Sequence, residues 1–370
     1  MRIFFYSLRA VFILSVLLLS LTAKVYAQDI QEADSTKAKV SSSGISGKYM
    51  SFRRAYKHNP EYLKSEANML RVRLLNTVQV PYFSIHPKDD IEKKLVFSSN
   101  PLMYVGADIG WNIFTFGYSI GLDRYNSNKR FSLGTYTRFF AINAEILWLN
   151  NLMISDVDDF MPEDDDTFPI NITLDGAYFR SRSIQSKFFP NGKKMAFGNT
   201  INPVFRQLKS AGTMVLALSY ADYDFNTNLS SIDREKYEWI SEIGLSNLNL
   251  SKYELGAGYS YNFVVGSKWV LFISDVIGIS TKHHNYKMLS DVSPTAKTNL
   301  GWCNYFRTGA CYYNKSYFIG TNISYEIDAL STNHVLFNKA NLNTVIYLGY
   351  KFNVSKFNSF VSDFLNVNIN

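Results

Sequence analysis

An alternating stretch from Tyr253 to Phe263 constrains the fold of this chain more than any other feature. Its odd positions are apolar or aromatic, and the positions between them are small or polar. The two sets are Tyr253, Leu255, Ala257, Tyr259, Tyr261 and Phe263 against Glu254, Gly256, Gly258, Ser260 and Asn262. Successive side chains of a β-strand point to opposite faces, whereas no helix has this period. The stretch therefore predicts a two-faced β-strand.

The same alternation recurs along most of the chain and predicts an all-β protein of twelve strands. We find no helical heptads and no long apolar helix in the mature chain. The twelve segments are Val72–Ile85, Met103–Trp111, Phe114–Leu122, Arg130–Arg138, Ile142–Leu152, Ile170–Phe179, Thr213–Tyr223, Tyr253–Phe263, Lys268–Ser280, Asn299–Tyr313, Tyr317–Ile327 and Leu342–Phe352.

The connections between these segments form a second pattern, because short joins alternate with longer ones. Short joins at Trp111–Asn112, Val265–Gly266 and Asn314–Lys315 alternate with long ones such as Asp224–Asn249. Bacterial outer-membrane barrels alternate short periplasmic turns with longer outer loops in this way. Only the join at Gln185–Ser210 breaks the alternation.

The irregular join decides the strand count. If Met195–Phe205 were an additional strand, the alternation of short and long joins would invert for the rest of the chain. The later tight turns would then lie on the outer side of the membrane. We therefore predict a closed antiparallel transmembrane β-barrel of about 12 strands, with a structured inward or periplasmic insert at Gln185–Ser210. A barrel of 14 strands is the alternative.

The polar face distinguishes a membrane barrel from a soluble sandwich or lipocalin-like barrel. A soluble fold would carry Lys, Glu and Thr on the face that meets water. Here the polar face is mostly Gly, Ser and Asn, with a few isolated charges that we assign to the lumen: Asp108, Glu145, Asp175, Glu254, Glu326 and Lys351. The apolar face often ends in one of the 58 aromatic residues, as an interfacial girdle should. We therefore expect the apolar face to meet lipid.

The termini predict export to the bacterial outer membrane. Residues 1–27 have a basic start, an apolar stretch at Val11–Leu21 and a small residue, Ala27, at the expected cleavage site. This arrangement is typical of a cleavable signal peptide. We predict a disordered periplasmic tail at 28–69, the barrel at 70–353 and a C-terminal extension at 354–370. Within the tail, Ser51–Ser65 could form a short helix or a linker.

Charge and cysteine content exclude several classes of function. Loss of the three cations in the signal peptide lowers the formal charge from +7 to +4, which is too small an excess to indicate nucleic-acid binding. Cys303 and Cys311 lie eight residues apart on one predicted strand. At about 3.3 Å per residue they are about 26 Å apart, too far for a disulfide. We expect two unpaired thiols, no metal centre and no cofactor.

Two polar segments are candidate sites. An acidic run in a predicted outer loop could bind cations such as calcium that bridge lipopolysaccharide phosphates, or could be a solvated loop: Asp156, Asp158, Asp159, Asp164, Asp165 and Asp166. The insert ends in Arg206, Gln207, Lys209 and Ser210. Arg206 could pair with a lumen carboxylate, Asp175 or Glu254, or could meet an anionic solute.

An outer-membrane lipid hydrolase would also be a twelve-stranded barrel. It needs a serine, a histidine in hydrogen-bond reach and a third group that orients the histidine. We predict His58, His86, His283 and His284 in tails or loops, and His334 at the outer edge of a strand. We therefore assign no catalytic residues and predict a narrow passive channel, transporter or structural barrel, with the barrel-embedded lipid hydrolase as the alternative.

Four segments carry a resemblance to a known family: VGADIGWNIFTFGYSIGL, FRQLKSAGTMVLALSY, GAGYSYNFVVGSKWVLF and YLGYKF. With them the chain resembles an uncharacterised family of outer-membrane β-barrels from Bacteroidetes, which is catalogued as a domain of unknown function. The resemblance covers about Leu70 to Phe352, and RQLKSAG is its most specific piece. It implies fold and location but no reaction. We expect membrane lipid, lipopolysaccharide and the barrel-assembly machinery as partners, and a monomer.

Overall fold

The computed structural model describes residues 59–66, 69–88, 95–98, 102–122, 128–156, 172–174, 176–198, 203–228, 244–288, 294–332 and 335–353. No helix within these ranges is long and apolar enough to cross a membrane. The signal peptide, the C-terminal extension, Asp175, His58, His334 and most of the acidic run lie outside the described residues.

Seventeen strands occur in the described residues, and their bounds show that several are longer than the sequence suggests. They are β1 (Leu63–Ser65), β2 (Met69–Pro87), β3 (Leu95–Ser98), β4 (Leu102–Trp111), β5 (Phe114–Gly121), β6 (Lys129–Tyr136), β7 (Phe140–Asn150), β8 (Met153–Asp156), β9 (Ile172–Thr173), β10 (Tyr178–Phe188), β11 (Phe205–Gln207), β12 (Ala211–Asn226), β13 (Leu245–Val265), β14 (Trp269–Met288), β15 (Thr295–Tyr313), β16 (Tyr317–Ser331) and β17 (Val335–Asn353).

Twelve of these strands form a closed antiparallel barrel, as predicted. Their order around the wall is β2, β4, β5, β6, β7, β10, β12, β13, β14, β15, β16 and β17. The barrel closes where β17 pairs with β2, from Val335 opposite Pro87 to Asn353 opposite Met69. The alternative of 14 strands is wrong, because the insert contributes only β11, which pairs with β1 outside the wall.

Strand β13 has the two faces that its sequence predicts. Leu255, Tyr259 and Phe263 point outward and are exposed, whereas Glu254 and Asn262 point into the lumen and are buried. The glycine at position 258 has a steric reason, because a Cβ atom there would lie 1.9 Å from the carbonyl oxygen of Asp275 on β14.

The predicted sixth strand was wrong in position. We expected Ile170–Phe179, but the wall strand is β10, and Ile172–Thr173 forms β9 in a small extension of the sheet with β3 and β8. The outward positions of β10 include Arg180 and Arg182, and Arg182 pairs with Asp222 of β12 at 3.8 Å. Because charged residues replace the apolar face there, the alternation gave no signal for this strand.

The two ends of the barrel differ. One end, which we call the turn end, has tight turns in which Asn112 and Gly266 adopt positive φ angles of 51° and 62°. The opposite end, which we call the loop end, has the longer connections, including the one between β12 and β13. The irregular join lies at the turn end, where residues 189–210 connect β10 to β12. We call the described residues of this join, 189–198 and 203–210, the plug.

A short two-stranded sheet attaches the start of the described chain to the plug. Leu63–Ser65, which we expected in a tail, helix or linker, forms β1 and pairs with β11 of the plug. Glu66 follows β1, and its carboxylate lies 2.6 Å from the ammonium of Lys351, which points inward at the turn end. This segment is therefore ordered by contacts that its local sequence does not reveal.

The outward apolar side chains form a band around the barrel, and several strands extend past this band at the loop end. Some segments that we predicted as loops are therefore strands. His86 lies on β2, and both His283 and His284 lie on β14. His284 points inward above the band, and burial lowers its pKa. The inward side of the extensions forms the main hydrophobic core, which includes Phe83, Phe97, Phe179, Tyr223, Phe225, Leu248, Leu250, Tyr286, Leu330 and Phe337.

Candidate functional site: the barrel lumen

Polar contacts of Gln207 hold the plug in the turn end of the lumen. The Gln207 side-chain oxygen accepts hydrogen bonds from the backbone N–H of Ala196 and the amide of Asn262, each at 3.0 Å. Its amide nitrogen donates to the backbone oxygens of Lys194 at 2.6 Å and Lys209 at 2.8 Å. Gln207 thus ties two parts of the plug to each other and to the inner face of β13.

Among the described residues, Arg206 forms no ion pair with Glu254, and its other predicted partner, Asp175, lies outside them. Arg206 contacts the backbone oxygen of Ser267 and lies over the ring of Tyr313, 5.8 Å from the ring centroid. Glu254 is out of reach because it is eight residues along β13 from Asn262, the level at which the plug binds. That separation is about 26 Å at about 3.3 Å per residue.

Aromatic packing seals the inner surface of the plug. The rings of Phe189 and Phe197 stack at 4.4 Å, and Phe197 meets Phe272 of β14 edge-on at 5.4 Å. All three side chains are buried. Val270, two residues from Phe272 on β14, lies in a second buried apolar cluster with Cys311 and Tyr313 of the adjacent strand β15.

The middle of the lumen holds a cavity of about 130 Å³, which we call the central cavity. Two arginine–carboxylate pairs line it. The Arg73 Nε atom lies 2.8 Å and 3.0 Å from the two carboxylate oxygens of Asp108, and Nη2 of Arg73 also contacts that carboxylate. Arg130 donates to Glu145 at 2.6 Å. Such bidentate or close charge-assisted contacts are among the strongest hydrogen bonds in proteins.

Two further cations, Lys187 and Arg307, line the same cavity. Within the described residues, neither forms an ion pair. The Lys187 ammonium lies 5.3 Å from the ring centroid of Phe197 in the plug. Lys187 also lies close enough to Arg307 for the two positive charges to repel each other.

Above the central cavity, three lysines and three carboxylates form a buried network that we call the lysine cluster. Fully buried Lys252 lies 2.7 Å from Glu254, 2.8 Å from Asp328 and 3.4 Å from Glu326. Lys282 contacts Asp328 as well. The sixth member, Lys339, lies 3.2 Å from Glu326 and donates to the hydroxyl of Tyr223. The charges balance, so this network needs no external ion.

Aromatic side chains close the loop end of the lumen. Phe83 lies at the centre, with ring centroids 4.8 Å from Phe179, 5.4 Å from Phe225 and 6.0 Å from Phe337. The cavities shrink toward this end, from about 130 Å³ to about 70 Å³ beside the lysine cluster and about 10 Å³ within the aromatic layer. The lumen is therefore a series of small cavities between two seals.

Four of the lumen carboxylates named from the sequence point into the lumen, but they belong to different networks. Asp108 and Glu145 line the central cavity, whereas Glu254 and Glu326 belong to the lysine cluster. Lys351 lies at the turn end. Of the insert residues, Lys209 forms an exposed ion pair with Glu61 at 3.2 Å, and the Ser210 hydroxyl accepts from the backbone N–H of Val264 at 2.9 Å.

Sequence reasoning missed most of the lumen cations. They all lie at inward positions of strands: Arg73, Arg130, Lys187, Lys252, Lys282, Arg307 and Lys339. The sequence did contain a signal for these cations, because the strand alternation predicts that their positions face the lumen. Lys252 and Lys282 were missed because β13 and β14 extend beyond their predicted ends.

The remaining sequence candidates form no chemical centre in the described residues. Both Cys303 and Cys311 are free thiols, as expected. No group of three or more His, Cys, Asp or Glu residues suitable for a metal occurs in the part of the chain that the structure describes. Of the acidic run, only Asp156 is reached, as the last residue of β8.

One serine–histidine contact lies at the loop end, where the Ser84 side chain is buried and His86 is half-buried. The Nε2 atom of His86 lies 3.0 Å from the hydroxyl of Ser84 on the same strand. The amide of Asn338 on β17 donates to the same hydroxyl at 3.5 Å. A hydrolase needs a serine and a histidine at this distance, together with a third group that orients the histidine.

Comparison with known proteins gives a family match and distant structural similarities. The family model described as "Domain of unknown function (DUF4421)" matches residues 58–352. No curated protein matches the chain. Among solved structures, the outer membrane protease OmpT from Escherichia coli has 8% identity and a TM-score of 0.34, and the match covers 78% of this chain and 98% of that chain.

Two further structures are similar at the same level. An outer membrane channel from Pseudomonas putida F1 has 11% identity and a TM-score of 0.32, with 80% of this chain and 99% of that chain covered. The toluene transporter TodX of P. putida has 10% identity and a TM-score of 0.28, with 77% and 90% covered. These TM-scores are too low to carry an argument about function.

Proposed function

Because the chain belongs to the DUF4421 family, whose function is unknown, we propose a function from the structure itself. We propose that this protein is a sealed barrel of the bacterial outer membrane, with a structural role in the membrane wall, and that it is not an open passive channel. The observation that supports this proposal most directly is the presence of a seal at each end of the lumen.

The outer surface supports the membrane location. Exposed apolar side chains surround the barrel, including Leu74, Val105, Ile109, Phe116, Leu133, Met214, Leu255, Ile277, Leu300, Ile319 and Ile346. Exposed aromatic residues border this band near the turn end, among them Phe114, Phe263, Trp269, Tyr317 and Tyr350. Such a band with aromatic girdles is typical of a surface that meets lipid. By the usual turn and loop lengths, the turn end faces the periplasm.

The remaining expectations complete this proposal. Export would use the predicted cleavable signal peptide at residues 1–27, and the origin of the chain would be a Bacteroidetes bacterium. The barrel-assembly machinery would insert the protein into the membrane. The protein would be a monomer there, surrounded by lipid and lipopolysaccharide.

Conductance of the purified protein in planar lipid bilayers tests the sealed-barrel proposal. We expect no steady single-channel current, because the plug occupies the turn end of the lumen and the aromatic layer occupies its loop end. A variant that lacks most of the plug is the matched control. It keeps the aromatic layer at the loop end, so it should not conduct either. A steady open-channel current from the intact protein would overturn the proposal.

A lipid hydrolase remains the second candidate, and the contact between Ser84 and His86 is the observation that favours it. If the pair is catalytic, Ser84→Ala and His86→Ala should each abolish hydrolysis of phospholipid vesicles. His283→Ala is the control, because His283 also contacts a hydroxyl, that of Thr298 at 2.7 Å, on the exposed outward side of β14. Absence of hydrolysis by the intact protein would eliminate this candidate.

A further inference from the structure

The central cavity has a surplus of positive charge. Among the described residues, four cations line it, Arg73, Arg130, Lys187 and Arg307, but only two carboxylates do. Each carboxylate already has its own arginine, because Asp108 binds Arg73 and Glu145 binds Arg130. The surplus therefore resides on Lys187 and Arg307.

Carboxylates outside the cavity do not neutralise this surplus. The nearest acidic groups toward the loop end are Glu254 and Glu326, and both belong to the lysine cluster. Glu254 lies 2.7 Å from Lys252, and Glu326 lies 3.2 Å from Lys339. Lys187 and Arg307 therefore line the central cavity without an ion-pair partner of their own among the described residues.

Two neighbouring cations enclosed in a protein are unfavourable without a counter-ion. Removing a charge from water is costly unless that charge is paired, and the mutual repulsion of two like charges adds to the cost. The cavity itself offers the means of compensation, because guanidinium groups match tetrahedral oxyanions with parallel N–H donors and an ammonium adds a point charge.

The size of the cavity limits what could bind. Its volume of about 130 Å³ is well below the roughly 300–1,000 Å³ of pockets that enclose drug-sized ligands. A nucleotide or a phospholipid therefore does not fit, whereas one tetrahedral oxyanion with a few waters does. The lining also provides neutral donors, including the hydroxyls of Thr115, Ser119 and Tyr136.

From these observations, we propose that the central cavity binds one inorganic oxyanion of the phosphate or sulfate type between Lys187 and Arg307. A dianion would neutralise the two unpaired cations. This site goes beyond the proposed function as a sealed barrel and does not depend on it, since the anion could enter during folding and remain enclosed. Phe197 of the plug would form the turn-end wall of the site.

Thermal unfolding of refolded protein in detergent tests the site. The protein is refolded in sodium phosphate, sodium sulfate or sodium chloride at equal ionic strength, and the unfolding midpoint is measured. We expect phosphate and sulfate to raise the midpoint above that in chloride, because a ligand that binds only the folded state stabilises it. A short-chain phosphatidic acid in chloride, added as a separate sample, should give no such rise, since its chains cannot enter the cavity.

Paired variants locate the effect. Lys187→Gln with Arg307→Gln should abolish the rise in phosphate, and should leave the midpoint in chloride unchanged or higher because the repulsion is removed. Lys268→Gln with Lys315→Gln, which removes two exposed cations at the turn end, should retain the full rise. Arg307→Lys, which keeps the charge, provides a folded alternative and should retain a reduced rise.

Direct phosphate analysis gives an independent result. Protein refolded in phosphate and then desalted should release about one phosphate per chain on denaturation, and the double variant should release none. The proposal is overturned if phosphate and sulfate give no rise over chloride, if the rise persists in the Lys187 and Arg307 double variant, or if only the phosphatidic acid stabilises the protein.

Discussion

At the scale of single residues, position on a strand decides the environment of each side chain. Leu255 and Glu254 are neighbours in sequence, yet Leu255 is 60% exposed on the lipid-facing side and Glu254 is buried in the lumen. The strand period produces this separation. The sequence alone was therefore sufficient to assign the face of each residue in regular strands such as β13.

The lipid-facing assignment predicts a depth-dependent cost of charge on β13. Leu255→Arg should lower the free energy of unfolding in lipid vesicles by about 2–4 kcal/mol, because it places a cation in the apolar band. Asn249→Arg is the control, since Asn249 lies on the same outward face beyond the band and should cost about 0–1 kcal/mol. Reversible urea unfolding measures both. Equal effects of the two substitutions would contradict the position of the band.

The lysine cluster predicts a large effect of one buried cation. Lys252→Met should destabilise the barrel by about 3–5 kcal/mol, because it leaves Glu254 and Asp328 short of their counter-charge in a buried site. Lys268→Met removes an exposed lysine in a turn and should change stability little. The comparison uses the same urea unfolding in vesicles. A Lys252 variant as stable as the control would show that the network is solvated and not buried.

At the scale of elements, the plug and strand β10 show where sequence patterns stop being informative. The broken loop rhythm correctly indicated a structured insert between two neighbouring strands. It did not indicate that Gln207 fixes the insert. One partner of Gln207, Asn262, is distant in sequence, and the other, Ala196, lies in an irregular segment without a strand pattern. For β10, charged outward residues beyond the apolar band removed the alternation on which the prediction depended.

The contacts of Gln207 predict local loosening of the plug. Gln207→Leu leaves the Asn262 amide and the backbone N–H of Ala196 without this acceptor, at about 1–3 kcal/mol for each orphaned group. Trypsin cleavage after Lys193 and Lys194 should become about tenfold faster or more, while the wall strands stay intact. Lys209→Gln breaks only an exposed ion pair and should keep the slow rate. An unchanged cleavage rate in the Gln207 variant would exclude Gln207 as the anchor.

At the scale of the whole molecule, the barrel is closed twice, by elements from opposite ends. The plug seals the turn end, and the aromatic layer around Phe83 seals the loop end. Two native thiols lie on β15 at different heights in the wall. Cys311 is buried near the plug, and Cys303 is buried on the same strand nearer the loop end. Thiol accessibility can therefore report each seal separately.

Water-soluble thiol reagents should label neither cysteine in the intact folded protein. Replacing residues 190–209 with a flexible linker of about six residues should expose Cys311 but not Cys303. Phe225→Ala with Phe337→Ala should loosen the loop end and accelerate labelling of Cys303 alone. Mass spectrometry of Cys303→Ser and Cys311→Ser backgrounds assigns each signal. Labelling of both thiols in the intact protein would show that the lumen is open.

The sequence by itself determined the strand period and the two faces of the wall, and it favoured twelve wall strands over fourteen. These features are local, because alternation within one strand and the lengths of adjacent turns are readable along the chain. Only the tertiary structure decided which lumen charges meet. Lys252 and Asp328 are joined because β13 and β16 face one lumen, although they are separated in sequence by β14 and β15. Closure of the wall brings such inward side chains together, and it places Lys187 and Arg307 at one cavity with no ion-pair partner of their own among the described residues.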